Sequence, residues 1–216
     1  MARQLALPGA ACATLAVAVV LLFQACRTLP PRDVDDLCAI FEERPAWREA
    51  TRRSYARWGV PEPVQVAFLH QESRFRHRAR PGWRKLLGVI PVGRLSSAYG
   101  FGQVKDGTWE DYRERTGNRD ASRSDFGDVV DFVGWYGDVI HRSTGVAKDD
   151  AFHLYLAYHE GPTGFDRADW REKEWLRGVA RKVAARADLY EAQYASCGGS
   201  ALEPDSKAAR AGRGAP

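Results

Sequence analysis

The chemistry in this chain centres on Glu72. It stands in Phe68-Leu69-His70-Gln71-Glu72-Ser73-Arg74-Phe75, four residues after Phe68 and three after Leu69. On a helix that spacing puts it on or beside the face that packs inward. The helix must end soon afterwards, because Arg80-Pro81-Gly82 opens a loop. A carboxylate in a last turn meets the negative end of the helix dipole and loses part of its water, and both effects raise its pKa. A carboxyl group that keeps its proton near neutral pH is what a general acid needs. On an exposed last turn the same residue would be an ordinary surface glutamate.

Two further segments carry polar residues out of place for a plain helical core. In Ser96-Ser97-Ala98-Tyr99-Gly100-Phe101-Gly102-Gln103-Val104, two glycines flank an aromatic and a glutamine follows. Such a turn lets backbone approach a ligand while an amide points into the space. Its plain structural reading is a tight turn leading to a helix at Thr108. In Ala157-Tyr158-His159-Glu160-Gly161-Pro162 an apolar helix ends in a polar cluster and is stopped by Gly-Pro. The bland reading there is a C-cap with incidental polar residues.

The elements that must position these residues are helical. A short helix is predicted over Val34–Glu43, and Pro45 opens a second that runs to about Trp58. A third covers Val64–Phe75, Arg76–Ala98 reads as loop, and a short helix spans Thr108–Thr116. Asp125 opens a longer helix with Val129, Phe132, Val133, Tyr136 and Ile140 on one stripe. Asp149 is the expected N-cap of Ala151–His159, which is apolar nearly all round and therefore central. A last helix is expected over Trp170–Tyr194. The fold class is mainly α, a single domain over residues 34–197, followed by a tail (198–216) without apolar anchors.

The 216 residues are 44% hydrophobic and 28% charged, the balance of one packed domain. The formal net charge is +4, with 26 Arg and 6 Lys scattered between Asp and Glu, which describes solvated helix faces rather than a nucleic-acid surface. Residues 1–25 read as an export leader: a basic start, then the uncharged run Thr14–Phe23. Gln24-Ala25-Cys26 after that run is similar to a bacterial lipoprotein processing site, with Cys26 lipidated and residues 26–33 as a tether. An ordinary cleaved signal or an uncleaved anchor would use the same leader. Cys38 and Cys197, at opposite ends of the domain, are a disulfide candidate in an oxidising compartment or else two unrelated thiols. Neither metal-ligand spacing nor any cofactor motif occurs, so no metal site and no cofactor are expected.

Gln71-Glu72-Ser73, Gly100-Phe101-Gly102-Gln103 and Ala157-Tyr158-His159-Glu160-Gly161, in that order, resemble the lytic transglycosylase domain of the soluble-lytic-transglycosylase type, in the lysozyme-like superfamily. The resemblance covers about residues 60–165. It implies a lysozyme-like helical domain with a cleft, and peptidoglycan glycan strands as partner. Glu72 would be the single catalytic acid/base, with Ser73, Tyr99, Gln103, Tyr158, His159 and Glu160 on the substrate side. Tyr158 would orient the acid or stabilise positive charge on the sugar. Gly102 stands where the family has Met, which would free volume under the sugar, and His159-Glu160 replace Asn-Ala. The loop Arg76–Leu95, longer than the family minimum, is a candidate lid or groove edge. The expected reaction joins the muramic 6-hydroxyl to its own anomeric carbon, leaving a 1,6-anhydro end. A monomer held at the periplasmic face of the outer membrane is expected. Rival readings are a hydrolytic muramidase of goose-lysozyme type, with Asp106 or Glu160 as second carboxylate, and a non-catalytic wall-binding lipoprotein.

Overall fold

A computed structural model describes residues 29–86 and 90–198. The leader, Cys26, the start of the tether as far as residue 28, and the tail after Gly198 lie outside the described residues. Helix α1 spans Leu37–Glu43 and α2 Pro45–Trp58. The Asp36 side chain caps α1 by accepting from the Ala39 amide, so this helix begins three residues later than Val34. Helix α3, Glu62–Ser73, is buried along most of its length from Glu62 to Leu69. After it the chain passes through two left-handed residues, Arg74 and Phe75, with φ of 50° and 59°. Non-glycine residues adopt this conformation only when packing holds them there, and Phe75 is buried against the Trp47 ring.

The stretch expected as pure loop after α3 contains a hairpin. Strand β1, Trp83–Leu86, pairs antiparallel with β2, Ile90–Arg94, with a register shift between Arg84 and Lys85. Pro91 in β2 cannot donate to a ladder, and Lys85 and Gly93 break apolar alternation, so the sequence carried no strand pattern. Helix α4 runs Asp106–Thr116 and α5 Phe126–Thr144. Asp125 caps α5 by accepting from the Asp128 amide. Helix α6 is Ala151–Glu160, and its capping carboxylate is Asp150, not Asp149: Asp150 accepts from the His153 amide at 3.0 Å.

The Gly-Pro stop opens a further short helix, α7, over Pro162–Asp166. The single helix expected from Trp170 is divided. A 3-10 turn covers Asp169–Glu172, the chain breaks at Lys173, and α8 runs Glu174–Ser196. Among the described residues there are thus eight α-helices and one small sheet.

The core forms where α2 lies along α5 and where α3 and α6 pack on α8. At Gly134 a β-carbon would fall 2.3 Å from Ser54 Oγ, so only glycine lets α2 and α5 approach so closely. Ser54 uses the proximity to donate to the Val130 carbonyl at 2.9 Å. Glu62 ties α3 to α2 and α8, accepting from Thr51 Oγ1 and from the Tyr194 hydroxyl, both at 2.9 Å. Burial holds its carboxyl above the usual range, against the pull of those two donors. Cys38 on α1 and Cys197 after α8 form a disulfide with Cα atoms 6.0 Å apart, closing the two ends of the domain on each other.

Candidate active site

A cavity of about 510 Å³ opens where the end of α3, the Gly100–Val104 turn, the middle of α5 and the end of α6 meet. Glu72, Gln103, Tyr158, His159 and Glu160 all line it, with Phe132, Tyr136, Lys105 and Thr108. Segments 31 and 56 residues apart along the chain, counting Glu72 to Gln103 and Gly102 to Tyr158, thereby share one wall.

Glu72 projects from the last turn of α3. Its pKa is pushed up to about 7, chiefly because burial strips water from the charged form. The Tyr155 hydroxyl donates to Glu72 Oε1 at 2.8 Å and opposes part of that rise by stabilising the carboxylate. Tyr155 stands three residues before Tyr158 on α6, itself buried, and its phenol is held far above its ordinary pKa by burial and then by Glu72. It therefore acts only as a proton-bearing donor. The orienting contact expected of Tyr158 belongs to Tyr155. Tyr158 instead donates to the Gly102 carbonyl at 2.8 Å and exposes its ring to the cavity.

The turn that carries Gln103 is rigid. Gly100 has φ of 78°, and a β-carbon there would lie 1.8 Å from the Arg123 carbonyl, so no other residue fits. The Arg123 side chain closes the turn from outside, donating to Val104 O at 2.8 Å and Ser97 O at 3.2 Å and pairing with Asp106 at 2.7 Å. Gln103 takes a left-handed φ of 48°. Its Nε2 donates to the Ala79 and Gly100 carbonyls, both at 2.9 Å. With both amide hydrogens engaged, Gln103 offers a ligand only an acceptor oxygen. Gly102 gives no extra room where the family has Met, since a β-carbon there would already sit 3.0 Å from Val129 Cγ1 and 3.2 Å from the Tyr158 hydroxyl.

Two residues expected at the substrate side are elsewhere. Ser73 is buried, with its hydroxyl donating to Leu69 O at 3.3 Å, because one helical step beyond Glu72 turns it toward the core. Tyr99 faces away from the cavity, its ring covered by the Arg80 and Arg123 guanidinium groups at 4.4 and 5.5 Å. Of the two candidate second carboxylates, Asp106 lies in the first turn of α4, 68% exposed and paired with Arg123. Glu160 does line the cavity, but Lys173 Nζ sits 2.6 Å from its Oε2 and His159 Nδ1 3.0 Å from its Oε1. Burial acts to raise its pKa, and the hydrogen bonds and electrostatic pull of Lys173 and His159 outweigh that, holding it below the usual range.

Sequence reasoning missed Tyr155 and Lys173. For Tyr155 the i, i+3 relation to Tyr158 was visible, but a helix apolar all round does not say which of its tyrosines faces Glu72. For Lys173 the signal was absent, because its reach depends on the break before α8. A family model described as Transglycosylase SLT domain matches residues 14–197 of the chain. No curated protein matches it.

Proposed function

The chain belongs to the transglycosylase SLT domain family, whose reaction is of the lytic transglycosylase type on peptidoglycan, and we propose that it cleaves the β-1,4 bond between N-acetylmuramic acid and N-acetylglucosamine with formation of a 1,6-anhydro end, Glu72 serving as both acid and base. The observation that carries this reading is the single available carboxyl group. Among the described residues around the cavity, Glu72 alone has an unpaired carboxyl with a pKa of about 7, while Glu160 is committed to Lys173 and His159.

Glycoside hydrolysis ordinarily uses two carboxyl groups, one as acid and one as nucleophile or base. One suffices when the nucleophile is the substrate's own 6-hydroxyl. At pH 7 a carboxyl with pKa about 7 is half protonated, where one at 4.5 would be protonated in about 0.3% of molecules. Glu72 protonates the bridging oxygen as the bond breaks. The resulting carboxylate, steadied by Tyr155, then takes the proton of the 6-hydroxyl as that oxygen attacks the anomeric carbon. The intermolecular glycosidic bond is exchanged for an intramolecular one, a bicyclic acetal between the 6-oxygen and the anomeric carbon, and Glu72 returns to its protonated state. Positioning of two groups of one sugar ring supplies several kcal/mol without further catalytic groups. The rings of Tyr158, Tyr136 and Phe132 offer apolar walls, and the Gln103 oxygen accepts from a sugar hydroxyl or amide.

With the leader carrying the chain out of the cytoplasm, the site of action is the periplasmic face of the outer membrane, through a lipid on Cys26. Weighing the fragments of purified cell wall after digestion tests the reaction: ends one water lighter than hydrolysed ends support it. Glycan-strand binding without any cleavage would favour the non-catalytic alternative, and hydrolysed ends the muramidase in which Glu160 holds water.

A further inference from the structure

Among the described residues outside the cavity, basic side chains without carboxylate partners gather just after α3. The segment directly after α3 reads Arg74-Phe75-Arg76-His77-Arg78-Ala79-Arg80. Arg76, Arg78 and Arg80 are exposed and line a groove of about 400 Å³ together with Pro30. None of the three meets a carboxylate among the described residues. By contrast, ion pairs engage arginines along α2, α4, α5 and α8, such as Arg57 with Asp131 and Arg186 with Asp35. The backbone of the cluster is fixed. Ala79 O accepts from Gln103 Nε2 at 2.9 Å and from the Gly100 amide at 3.0 Å, which ties the backbone between the arginines to the turn that forms the cavity wall. Arg76 Nε donates to Ser73 O at 2.9 Å and Arg80 lies over the Tyr99 ring, and all three side chains stay exposed. None of them lines the cavity itself.

The N-terminal segment runs along this edge. Pro30 forms part of the groove, and Leu29 beside it is 63% exposed while its carbonyl accepts from Arg44 Nη2 at 3.0 Å. Only five residues separate Leu29 from the apolar run Thr14–Phe23. Even fully extended, the seven steps from Phe23 to Pro30 span at most about 25 Å. Cys26, which carries the lipid in the function proposed above, is only four steps from Pro30, at most about 14 Å, so a bilayer holding either that lipid or the uncleaved run lies within reach of the groove. No helix among the described residues is long and apolar enough to cross a membrane, so the domain itself can meet the bilayer only from its surface.

We propose that the Arg76-Arg78-Arg80 face, with Leu29 at its edge, docks on the anionic phospholipid headgroups of the membrane to which the N-terminal segment is attached. Arginine suits this role because its planar fork binds phosphate oxygens bidentately and remains charged. Docking here sets the orientation of the domain while leaving the cavity open, since the groove and the cavity share no lining residue. It does not depend on which reaction the cavity performs.

The test is partition of the full chain into vesicles of phosphatidylcholine alone and of phosphatidylcholine with a third phosphatidylglycerol, at low and high salt. A basic residue near an anionic surface is worth about fivefold in binding, so three give a preference on the order of a hundredfold, fading at high salt. Replacing all three arginines by Gln abolishes the preference, and replacing them by Lys keeps most of it. Arg78→Glu, at a side chain that makes no hydrogen bond or ion pair among the described residues, lowers anionic binding about 25-fold on its own, so the test survives if the triple Gln variant fails to fold. An equal affinity of the wild-type chain for both vesicles, or an undiminished preference in Arg78→Glu, overturns the proposal. So does loss of binding to purified peptidoglycan by these variants with vesicle binding unchanged, which would assign the face to the wall.

Discussion

Replacing Glu72 by Gln should make the protein more stable, and by an amount that depends on pH. In the unfolded chain this carboxyl ionises near 4.5; in the native protein it does so near 7. Between those values the native state holds a proton that the unfolded state has released, so ionisation favours unfolding increasingly as pH rises. The penalty is absent below about pH 4.5 and complete above about pH 7. At about 1.4 kcal/mol per unit it amounts to roughly 3 kcal/mol. Gln carries no charge to desolvate, and its carbonyl oxygen still accepts from Tyr155 at the Oε1 position. Thermal melts of both proteins from pH 4.5 to 8.5 should therefore show a Tm difference near zero at the acid end. At pH 8 the variant should melt higher by roughly 6–12 °C, at 2–4 °C per kcal/mol for a domain of this size. A Tm difference that is flat across this range would mean that Glu72 is not desolvated, and the chemical argument built on its proton would go with it.

Tyr155→Phe removes the hydroxyl that donates to Glu72 and lets its pKa climb further, so the alkaline limb of the activity profile moves up by about one unit while the maximal rate falls, as a pH profile of kcat will record. Gly100→Ala drives a β-carbon onto the Arg123 carbonyl at a positive φ, and denaturant unfolding should register a loss of at least about 3 kcal/mol, with weakened glycan binding by whatever fold remains. Cys38→Ser opens the disulfide between α1 and the end of α8, and calorimetry should show a stability loss of about 2–5 kcal/mol, matched by reduction of the wild-type protein.

What could be read from the residues alone followed from how local each signal was. The stripe from Val129 to Ile140, the Asp125 cap and the Pro45 helix start are decided within a turn or two, and the helices formed there. The convergence of Glu72, Gln103, Tyr158, His159 and Glu160 on one cavity was legible through the resemblance, because three spaced motifs together constrain a shared wall. Residues credited only for standing beside a site residue fared differently. Ser73 is one helical step from Glu72 and Tyr99 is across a glycine from the turn, and in each case the next residue points elsewhere. The hairpin over Trp83–Arg94, the break at Lys173 and the left-handed pair Arg74-Phe75 are tertiary decisions. The break and the left-handed pair are held by contacts distant in sequence, Lys173 with Glu160 and Phe75 with Trp47, and none of the three leaves a periodic trace. The pairing of Glu160 depends on such a contact too, because its salt bridge with Lys173 cannot be seen from its own segment.

Digestion of purified cell wall in water enriched in oxygen-18 addresses the reaction without reference to any variant. If Glu72 works alone and the substrate's own hydroxyl closes the ring, the new muramic ends are anhydro and carry no label. Labelled, reducing ends would contradict the account, because they require water delivered to the anomeric carbon by a second base.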